Sequence, residues 1–394
     1  MSQQLISRSA DLQELRDQGY EVSVIDGHLV LSHVPYVTSA RQVTYGSLVS
    51  TLTLSGDTTT TPDTHVVYFV GETPCAMDGT PLDNLINAAY DTQLTTNLAV
   101  DFMFSHKPVP SGVYPDYFAK MSTYASILLQ EAQAVDPTAV AQTFAPVTDE
   151  NDSSVFNYLD TASSRAGIAT VASKLQIAKV AIVGVGGTGA YILDLLAKTP
   201  IEELHIFDGD RFLQHNAFRA PGAPTLDELR STPYKVDYLA GRYEAMRRGI
   251  VPHPVNVDIA NLNDLDGTNF VFLAIDDGTA KKVIVEHLES VGIDFIDVGM
   301  GIYERQGALG GLVRTTLSRN DQQSRADARS RISFGDSSAN EYTQNIQIAD
   351  LNALNAALAV IRFKKHSGFF LDLDVTDTSI YMIDMNAIAN EDSA

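Results

Sequence analysis

The stretch Lys179–Arg219, KVAIVGVGGTGAYILDLLAKTPIEELHIFDGDRFLQHNAFR, decides the fold of most of this 394-residue chain. A short apolar run, Val180–Val183, leads directly into a glycine-rich turn, and a helical pattern follows. A second apolar run, Leu204–Phe207, ends in Asp208 and Asp210. The glycines of the turn are Gly184, Gly186, Gly187 and Gly189. This order indicates a βαβ unit that binds a nucleotide, because glycines allow close approach of phosphate and helix N–H groups attract the anion.

The side chains that follow the second strand favour ATP over a dinucleotide cofactor. Asp208 comes 19 residues after Gly189, where a carboxylate can accept hydrogen bonds from ribose hydroxyls. Asn216 and Arg219 come eight and eleven residues after Asp208. A dehydrogenase has little use for arginine at this place, whereas a guanidinium binds the oxygens of a triphosphate in two-pronged fashion.

Composition describes a soluble globular chain with 44% hydrophobic and 19% charged residues. No apolar run reaches the ~18 residues of a membrane span, and the start of the chain lacks the apolar core of a secretory signal. A net charge of −22 argues against nucleic acid as the main partner. The single cysteine, Cys75, excludes an intrachain disulfide and fits a reducing compartment. We therefore expect a cytoplasmic protein that binds neither membrane nor nucleic acid.

Residues 1–150 are expected to form a smaller α+β domain. Asp26–Gly27 separates two alternating runs and predicts a hairpin, and further strands are predicted near residues 47–54 and 65–70. Helices are predicted at Leu82 to Tyr90 and at Pro115 to Ala134, and the polar segment 144–154 is the expected linker.

Residues 155–394 are expected to form an α/β domain. Buried strands are predicted at 180–183, 204–207, 270–275 and 294–298, and Leu309 to Thr316 begins an antiparallel continuation. Continuous helices are predicted at 157–175, 226–248 and 346–365. The polar stretch 318–344 is predicted to be a long loop, which leaves two interpretations open: a mobile surface loop or a functional segment.

These residues in this order resemble the ThiF-type adenylyltransferases, the family that contains the activating enzymes of ubiquitin-like proteins and of sulfur carriers. The family pattern is G-x-G-G-x-G, then D-x-D-x-V with an Asn and an Arg at fixed offsets, then a Lys, then an Asp that closes a later strand. Here Phe212 stands at the Val position, Lys235 is shifted by a few residues, and Asp276 is followed by Asp277 instead of Asn or Ser. The resemblance covers roughly residues 155–385 and implies a Rossmann-like adenylation domain with a mixed sheet.

The resemblance implies attack of a protein's C-terminal carboxylate on the α-phosphate of ATP. It also implies a role for each matched residue. Asp208 would hold the ribose, with Asp210 beside it, and Arg219 and Lys235 would grip phosphates. Asp276 would hold Mg²⁺, and Asn216 would contact the nucleotide or orient Arg219. Cations and a metal are needed because a carboxylate and a polyphosphate repel each other.

The resemblance also implies partners. Family members activate a ubiquitin-like or sulfur-carrier protein and are commonly paired, with an arginine before the first strand reaching the partner's phosphates. Arg165 is the candidate for this role in a homodimer, and a helix-surface arginine is the alternative. The N-terminal region resembles the accessory domain that precedes the ThiF-type domain in bacterial ubiquitin-like conjugation operons.

Cys75 is the candidate acceptor of an activated carrier, because it is the only thiol and follows Pro74 in an exposed-looking turn. An incidental cysteine is the alternative. A strand meander followed by helices is compatible with a ubiquitin-conjugating-enzyme-like domain, which would make Cys75 the acceptor. Transfer to a separate conjugating partner, or no thioester at all, stays open.

Two other functions also stay open. A nicotinamide-dependent oxidoreductase could use the same glycine turn, but it would leave Asn216, Arg219 and Asp276 unexplained. A non-catalytic module could bind ATP as a structural ligand.

Overall fold

The computed structural model describes residues 2–148, 154–335, 346–373 and 375–391. The chain forms two compact units: Met1–Asp152 with Tyr158–Gly167, here called the N-terminal unit, and Ser153–Asn157 with Ile168–Ala394, here called the C-terminal unit. The fold class is the predicted one, an α/β domain with a mixed sheet preceded by an α+β region.

The N-terminal unit is built on a six-stranded antiparallel sheet in the order β1-β2-β3-β6-β8-β7, with a small β4-β5 ribbon beside it. The helices are α1 (Ser2–Arg8), α2 (Ala10–Asp17), α3 (Tyr117–Val135) and α4 (Thr161–Arg165). The strands are β1 (Glu21–Ile25), β2 (His28–Val37), β3 (Val43–Thr51), β4 (Leu54–Ser55), β5 (Thr58–Thr59), β6 (Val66–Val70), β7 (Ile86–Thr95) and β8 (Leu98–Ser105).

Local sequence explains the first hairpin and the long helix of this unit. Asp26 and Gly27 have φ of 47° and 79°, as a two-residue hairpin turn requires, and they join β1 to β2. Asp116 caps α3 by accepting a hydrogen bond from Ala119 N at 2.7 Å. The buried face of α3, including Tyr117 and Tyr124, packs in one core with residues of the sheet.

The predicted helix at Leu82 to Tyr90 is wrong, because β7 begins at Ile86. Its partly buried residues Ile86, Ala88 and Tyr90 alternate with exposed ones, which is the period of a strand, and β7 pairs with β8 at the sheet edge. The helix-forming residues of this segment are therefore overridden by sheet pairing.

The C-terminal unit contains an eight-stranded mixed sheet in the order β11-β10-β9-β12-β13-β14-β15-β16. Its strands are β9 (Lys179–Val183), β10 (Glu203–Phe207), β11 (Ile250–His253), β12 (Phe270–Leu273), β13 (Asp294–Arg305), β14 (Ala308–Ser318), β15 (Thr378–Met382) and β16 (Ala387–Glu391). Strands β11, β10, β9, β12 and β13 run parallel to one another. The pairs β13–β14, β14–β15 and β15–β16 are antiparallel. The helices are α5 (Ala169–Ala172), α6 (Gly187–Leu196), α7 (Gln214–Ala217), α8 (Leu226–Ser231), α9 (Lys235–Tyr243), α10 (Gly278–Val291), α11 (Gln322–Arg331) and α12 (Ala349–His366).

Helices cover both faces of this sheet. Ile182 of β9 belongs to a core that includes residues of α6 and α12, and the next residue, Val183, belongs to a second core that includes residues of α10 and α11. β9 lies between β10 and β12. The chain therefore adds β10 on one side of β9 and later adds β12 on the other side. Such a switch point opens a crevice at the carboxyl ends of the strands.

Two helix predictions and one loop prediction need correction. The predicted helix over residues 157–175 is split, and α4 ends before Gly167, which has φ of 67°. The predicted helix over residues 226–248 is split into α8 and α9, because Thr232 is left-handed and precedes Pro233. The predicted loop 318–344 contains α11, capped by Asp321. The remainder of that loop from residue 336 lies outside the described residues.

Candidate active site

A cavity of about 1140 Å³ lies at the switch point of the C-terminal unit. Most of the site residues predicted from the sequence line it: Gly184, Gly186, Gly187, Asp208, Asp210, Arg219, Lys235 and Asp276. They come from the turn after β9, the end of β10, the segment after α7, the start of α9 and the end of β12. The volume slightly exceeds the ~300–1,000 Å³ that is usual for small-molecule pockets.

The glycine turn brings bare backbone to the cavity. Gly184 has φ of 86°, and a Cβ there would lie 2.6 Å from the carbonyl oxygen of Ala274 after β12. Gly186 precedes α6, and no side chain caps this helix. The N–H groups of its first turn are therefore available to an anion. Gly189 does not line the cavity, since it packs α6 against the backbone of Gly184.

Asp208 organises the end of β10. Its carboxylate accepts hydrogen bonds from Val185 N and Asp210 N, both at 3.0 Å. Lys235 Nζ lies 3.3 Å from Asp208 Oδ1 and 2.6 Å from Asp210 Oδ2. The lysine predicted to grip phosphates thus rests between two carboxylates in the lining of the cavity. An incoming phosphate would compete with these carboxylates for the ammonium group.

Asn216 and Arg219 each carry a buried donor with no partner among the described residues. Asn216 is buried, and its Oδ1 accepts a hydrogen bond from Leu213 N at 2.8 Å. Within the described residues, Asn216 Nδ2 and Arg219 Nε are buried without a hydrogen-bond partner. Buried polar groups normally find partners, so two unpaired donors fit a ligand rich in oxygen acceptors, as ATP is.

Asp276 lies in the turn after β12 and lines the cavity, while Asp277 has a structural role. Asp277 caps α10 by accepting hydrogen bonds from Thr279 N and Ala280 N at 2.9 and 3.0 Å. Among the described residues, no group of three or more His, Cys, Asp or Glu side chains could hold a metal alone. Mg²⁺ usually takes only one or two carboxylates together with substrate phosphates, so the residues fit a metal shared with the nucleotide.

Sequence reasoning missed two polar features of the cavity. Asn352 of α12 accepts a hydrogen bond from Thr188 Oγ1 at 3.0 Å and donates one to Arg219 O at 3.2 Å. Asp297 of β13 is fully buried between Lys281 and Arg314, which both line the cavity. The sequence did contain a signal for Asp297, because a carboxylate inside the apolar run FIDV needs a cationic partner.

The ThiF family profile matches residues 162–377, which is more than half of the chain. The chain belongs to the ThiF family. The predicted resemblance is therefore confirmed, and the chain is an enzyme of the ThiF-type adenylyltransferase family. Residues 10–161 match a second profile, "Domain of unknown function (DUF6791)".

Comparison with solved structures finds matches at low sequence identity. Escherichia coli MccB bound to MccA-N7isoASN is 15% identical, with a TM-score of 0.46, covering 59% of this chain and 70% of that one. PaaA is 17% identical, with a TM-score of 0.47, covering 69% and 83%. E. coli MccB with ATP is 16% identical, with a TM-score of 0.44, covering 59% and 71%. These scores say nothing about the substrate of this ThiF protein. No curated protein matches the chain.

Cys75 lies in the N-terminal unit, and the prediction that it is exposed is wrong. The residue is 1% exposed, its N–H donates to Val37 O at 2.8 Å, and its Sγ contacts Thr73 O at 3.4 Å. Pairing with β2 buries a turn that Pro and Gly neighbours suggested was open. Burial, and to a lesser degree Asp78, raises the pKa of the thiol. Its role as acceptor stays a prediction.

Arg165 is the last residue of α4 and also belongs to the N-terminal unit. Its Nη2 donates a hydrogen bond to Asp17 O at 2.6 Å. The role predicted for it in a second copy of this ThiF protein stays a prediction.

Of the described helices, none has both the length and the apolar character that crossing a membrane requires.

Proposed function

We propose that this ThiF protein adenylates the C-terminal carboxylate of a ubiquitin-like carrier protein with ATP. The observation that carries the proposal is Arg219, which lines the cavity together with the glycine turn and Asp208. Among the described residues its buried Nε has no hydrogen-bond partner, and neither has Asn216 Nδ2, three positions earlier in the chain. An acceptor-rich polyphosphate with a ribose matches these groups better than a nicotinamide does. Asp276 at the neighbouring strand end further favours ATP over NAD(P).

In the proposed reaction, a carboxylate oxygen of the carrier attacks the α-phosphorus of ATP. The bond from that phosphorus to its bridging oxygen breaks, and pyrophosphate leaves with the electron pair. The N–H groups at the start of α6, with Arg219 and Lys235, would stabilise the charge on the phosphates. Asp276 would hold Mg²⁺, which neutralises phosphate charge when bound.

The carrier, the homodimer and the cytosolic location are parts of the proposal that rest on the family resemblance. In the proposed homodimer, Arg165 of one copy would reach the phosphates of the other. The adenylated carrier would then pass to Cys75 or to a separate conjugating partner. A cytosolic location suits a reaction that consumes ATP.

The first prediction tests adenylation through Asp276. With Mg²⁺ present, calorimetry should show tighter binding of ATP than of NAD, and labelled pyrophosphate should exchange into ATP when a pool of peptides with free C-terminal carboxylates is supplied. Asp276→Ala should remove both the exchange and the strengthening of ATP binding by Mg²⁺, because it deletes a metal ligand.

Asp227→Ala is the matched control, since Asp227 is exposed and paired with Arg230 outside the cavity. Full exchange in Asp276→Ala would contradict the assignment. Nicotinamide absorbance in the purified protein would favour the oxidoreductase, and ATP binding without any exchange would favour a non-catalytic module.

A further inference from the structure

The cavity extends beyond the groups assigned to the nucleotide. Its far wall is formed by β13 and β14, through residues that include Gly299, Gly301, Leu312 and Arg314. None of these residues has a role in the adenylation chemistry described above. A site that joins two reactants needs room for the second, and this wall supplies it.

A buried charge cluster of Lys281, Asp297 and Arg314 stands on this wall. Arg314 Nη2 donates to Asp297 Oδ2 at 2.5 Å. Lys281 Nζ lies 2.7 Å from Asp297 Oδ1, in an electrostatic contact outside hydrogen-bonding angles. Asp297 is 0% exposed, and the cluster holds two cations for one carboxylate. Two cations thus share one buried carboxylate within the described cluster, and an anionic ligand at Arg314 would add a second negative charge to it.

Arg314 lines the cavity, and its bond to Asp297 uses only one of its three nitrogens. Within the described part of the chain, its Nε is buried and makes no hydrogen bond. A guanidinium that is anchored at one edge and unpaired at another is oriented before the ligand arrives. The anchor also keeps Arg314 on the β13 side of the cavity.

Strand order separates this charge from the phosphate groups of the nucleotide. The glycine turn follows β9, and β13 is two strands away from β9 in the sheet, which is about 10 Å. Arg314 lies directly opposite Gly299 of β13, and a Cβ at Gly299 would come 3.0 Å from its Nη2. While Asp297 holds it there, the guanidinium faces the second reactant rather than the glycine turn.

The same wall leaves room for an extended chain. A Cβ added to Gly301 would meet no atom within 4 Å, so open space lies above the backbone of β13 at this point. Lys281 is one helical turn after Asp277, with its N–H bonded to Asp277 O at 2.9 Å, so the cluster stands next to the turn that carries Asp276. A carboxylate held by Arg314 would thus lie on the same side of the nucleotide as the Mg²⁺ that Asp276 would hold.

We propose that Arg314, held by Asp297 together with Lys281, binds the C-terminal carboxylate of the peptide or protein that is to be adenylated. This assignment rests on the proposed function and names the side chain that recognises the acyl donor. Arg314 binds through charge and hydrogen bonds, Asp297 and Lys281 position it, and Gly301 leaves space for the chain behind the carboxylate.

The test uses the full chain and two small probes, N-acetyl-glycylglycine and its C-terminal amide. Binding is titrated by saturation-transfer NMR, with and without Mg²⁺ and α,β-methylene ATP, which prevents the reaction. In the wild type the free acid should bind at least about tenfold more tightly than the amide, because only the acid forms charge-assisted hydrogen bonds. The cluster exists without nucleotide, so the preference is expected in both conditions.

Arg314→Gln should bind the acid and the amide about equally. The variant should fold, because Lys281 still compensates the charge of Asp297. Gly301→Val should weaken binding of the acid by occupying the open space without changing any charge. Arg305→Gln is the matched control, since Arg305 is an exposed arginine of the same hairpin outside the cavity. It should bind both probes as the wild type does.

Equal binding of acid and amide by the wild type, or an unchanged preference in Arg314→Gln, would overturn the carboxylate assignment. Calorimetry of the ATP analogue on the same samples keeps the two proposals separate. If the wild type does not bind the ATP analogue, the proposed function is contradicted. If it binds the analogue but binds the acid no better than the amide, only the carboxylate assignment is contradicted. If Arg314→Gln weakens the analogue as much as the acid, Arg314 contacts phosphate instead.

Discussion

Burial sets the chemistry of single residues in the N-terminal unit, and Cys75 shows the effect most directly. A thiol reacts as its thiolate, and burial raises the pKa of this thiol above its ordinary value of 9.0. The proposed transfer of a carrier to Cys75 would therefore be slow at neutral pH unless the turn around it opens.

If Cys75 accepts the carrier, wild-type protein with carrier and ATP should show a reductant-sensitive adduct on a non-reducing gel. Cys75→Ser should lose the adduct and keep pyrophosphate exchange, because the adenylation site contains no thiol. The rate of adduct formation should still increase at pH values above the ordinary thiol pKa, since the raised pKa means that the thiolate forms only at higher pH. An adduct in Cys75→Ser, or none in the wild type, would show that the thiol is incidental.

At the scale of elements, α6 and α12 lock the glycine turn in place. A Cβ at Gly187 would collide with the side chain of Asn352, which itself bonds Thr188 and the backbone of Arg219. Gly187→Ala should therefore push α12 away from α6. We expect a loss of about 1–3 kcal/mol in the free energy of unfolding, together with weaker ATP binding.

Adding Asn352→Ala to Gly187→Ala removes the collision, so the double variant should recover part of the stability lost in Gly187→Ala. Gly241→Ala is the contrasting control, because Gly241 lies in α9 with no atom within 4 Å of an added Cβ. It should stabilise by about 0.5–1 kcal/mol. Denaturant unfolding measures all three variants, and equal stability of Gly187→Ala and wild type would contradict the packing argument.

At the scale of the whole molecule, the two units have separate hydrophobic cores, so we expect different perturbations to act on different unfolding transitions. Lys120 in the N-terminal core is 0% exposed, with Nζ 2.9 Å from Ser50 Oγ. Burial lowers its pKa from 10.5 to about 8. The unfolded chain binds the proton more tightly, so the stability of this unit should rise as pH increases from 8 towards 10.5.

Calorimetry from pH 7 to 9.5 measures this dependence before buried tyrosines act in the opposite direction. Burial raises the pKa values of these tyrosines, for example that of Tyr114 to about 12. The folded unit therefore keeps their protons longer than the unfolded chain does, and its free energy of unfolding falls at high pH. Lys120→Met should remove the rise, while Ser50 keeps its hydrogen bond to Thr51 O. ATP with Mg²⁺ should shift only the transition of the C-terminal unit. A single transition that responds to both changes would contradict this description.

The parts of the site that could be predicted from the sequence are those set by neighbouring residues. Gly184 and Asp208 belong to a strand-turn-helix-strand pattern whose geometry is local. Asn352 and Arg314 could not be predicted, because their partners are distant in the chain and no spacing encodes the contact. Cys75 was predicted to be exposed for the same reason, since its pairing with Val37 is not visible in the turn residues around it.

The contact between α12 and the glycine turn also has a consequence for the proposed ATP binding of a newly made chain. Thr188 and Asn352 are 164 residues apart. At ribosomal speeds, the turn waits on the order of ten to thirty seconds before Asn352 is synthesised. Until then the backbone of Arg219 lacks the amide that fixes it, and Gly187 lacks its neighbour. If the protein binds ATP as proposed, a ribosome-bound chain is expected to bind it only weakly until α12 has left the exit tunnel.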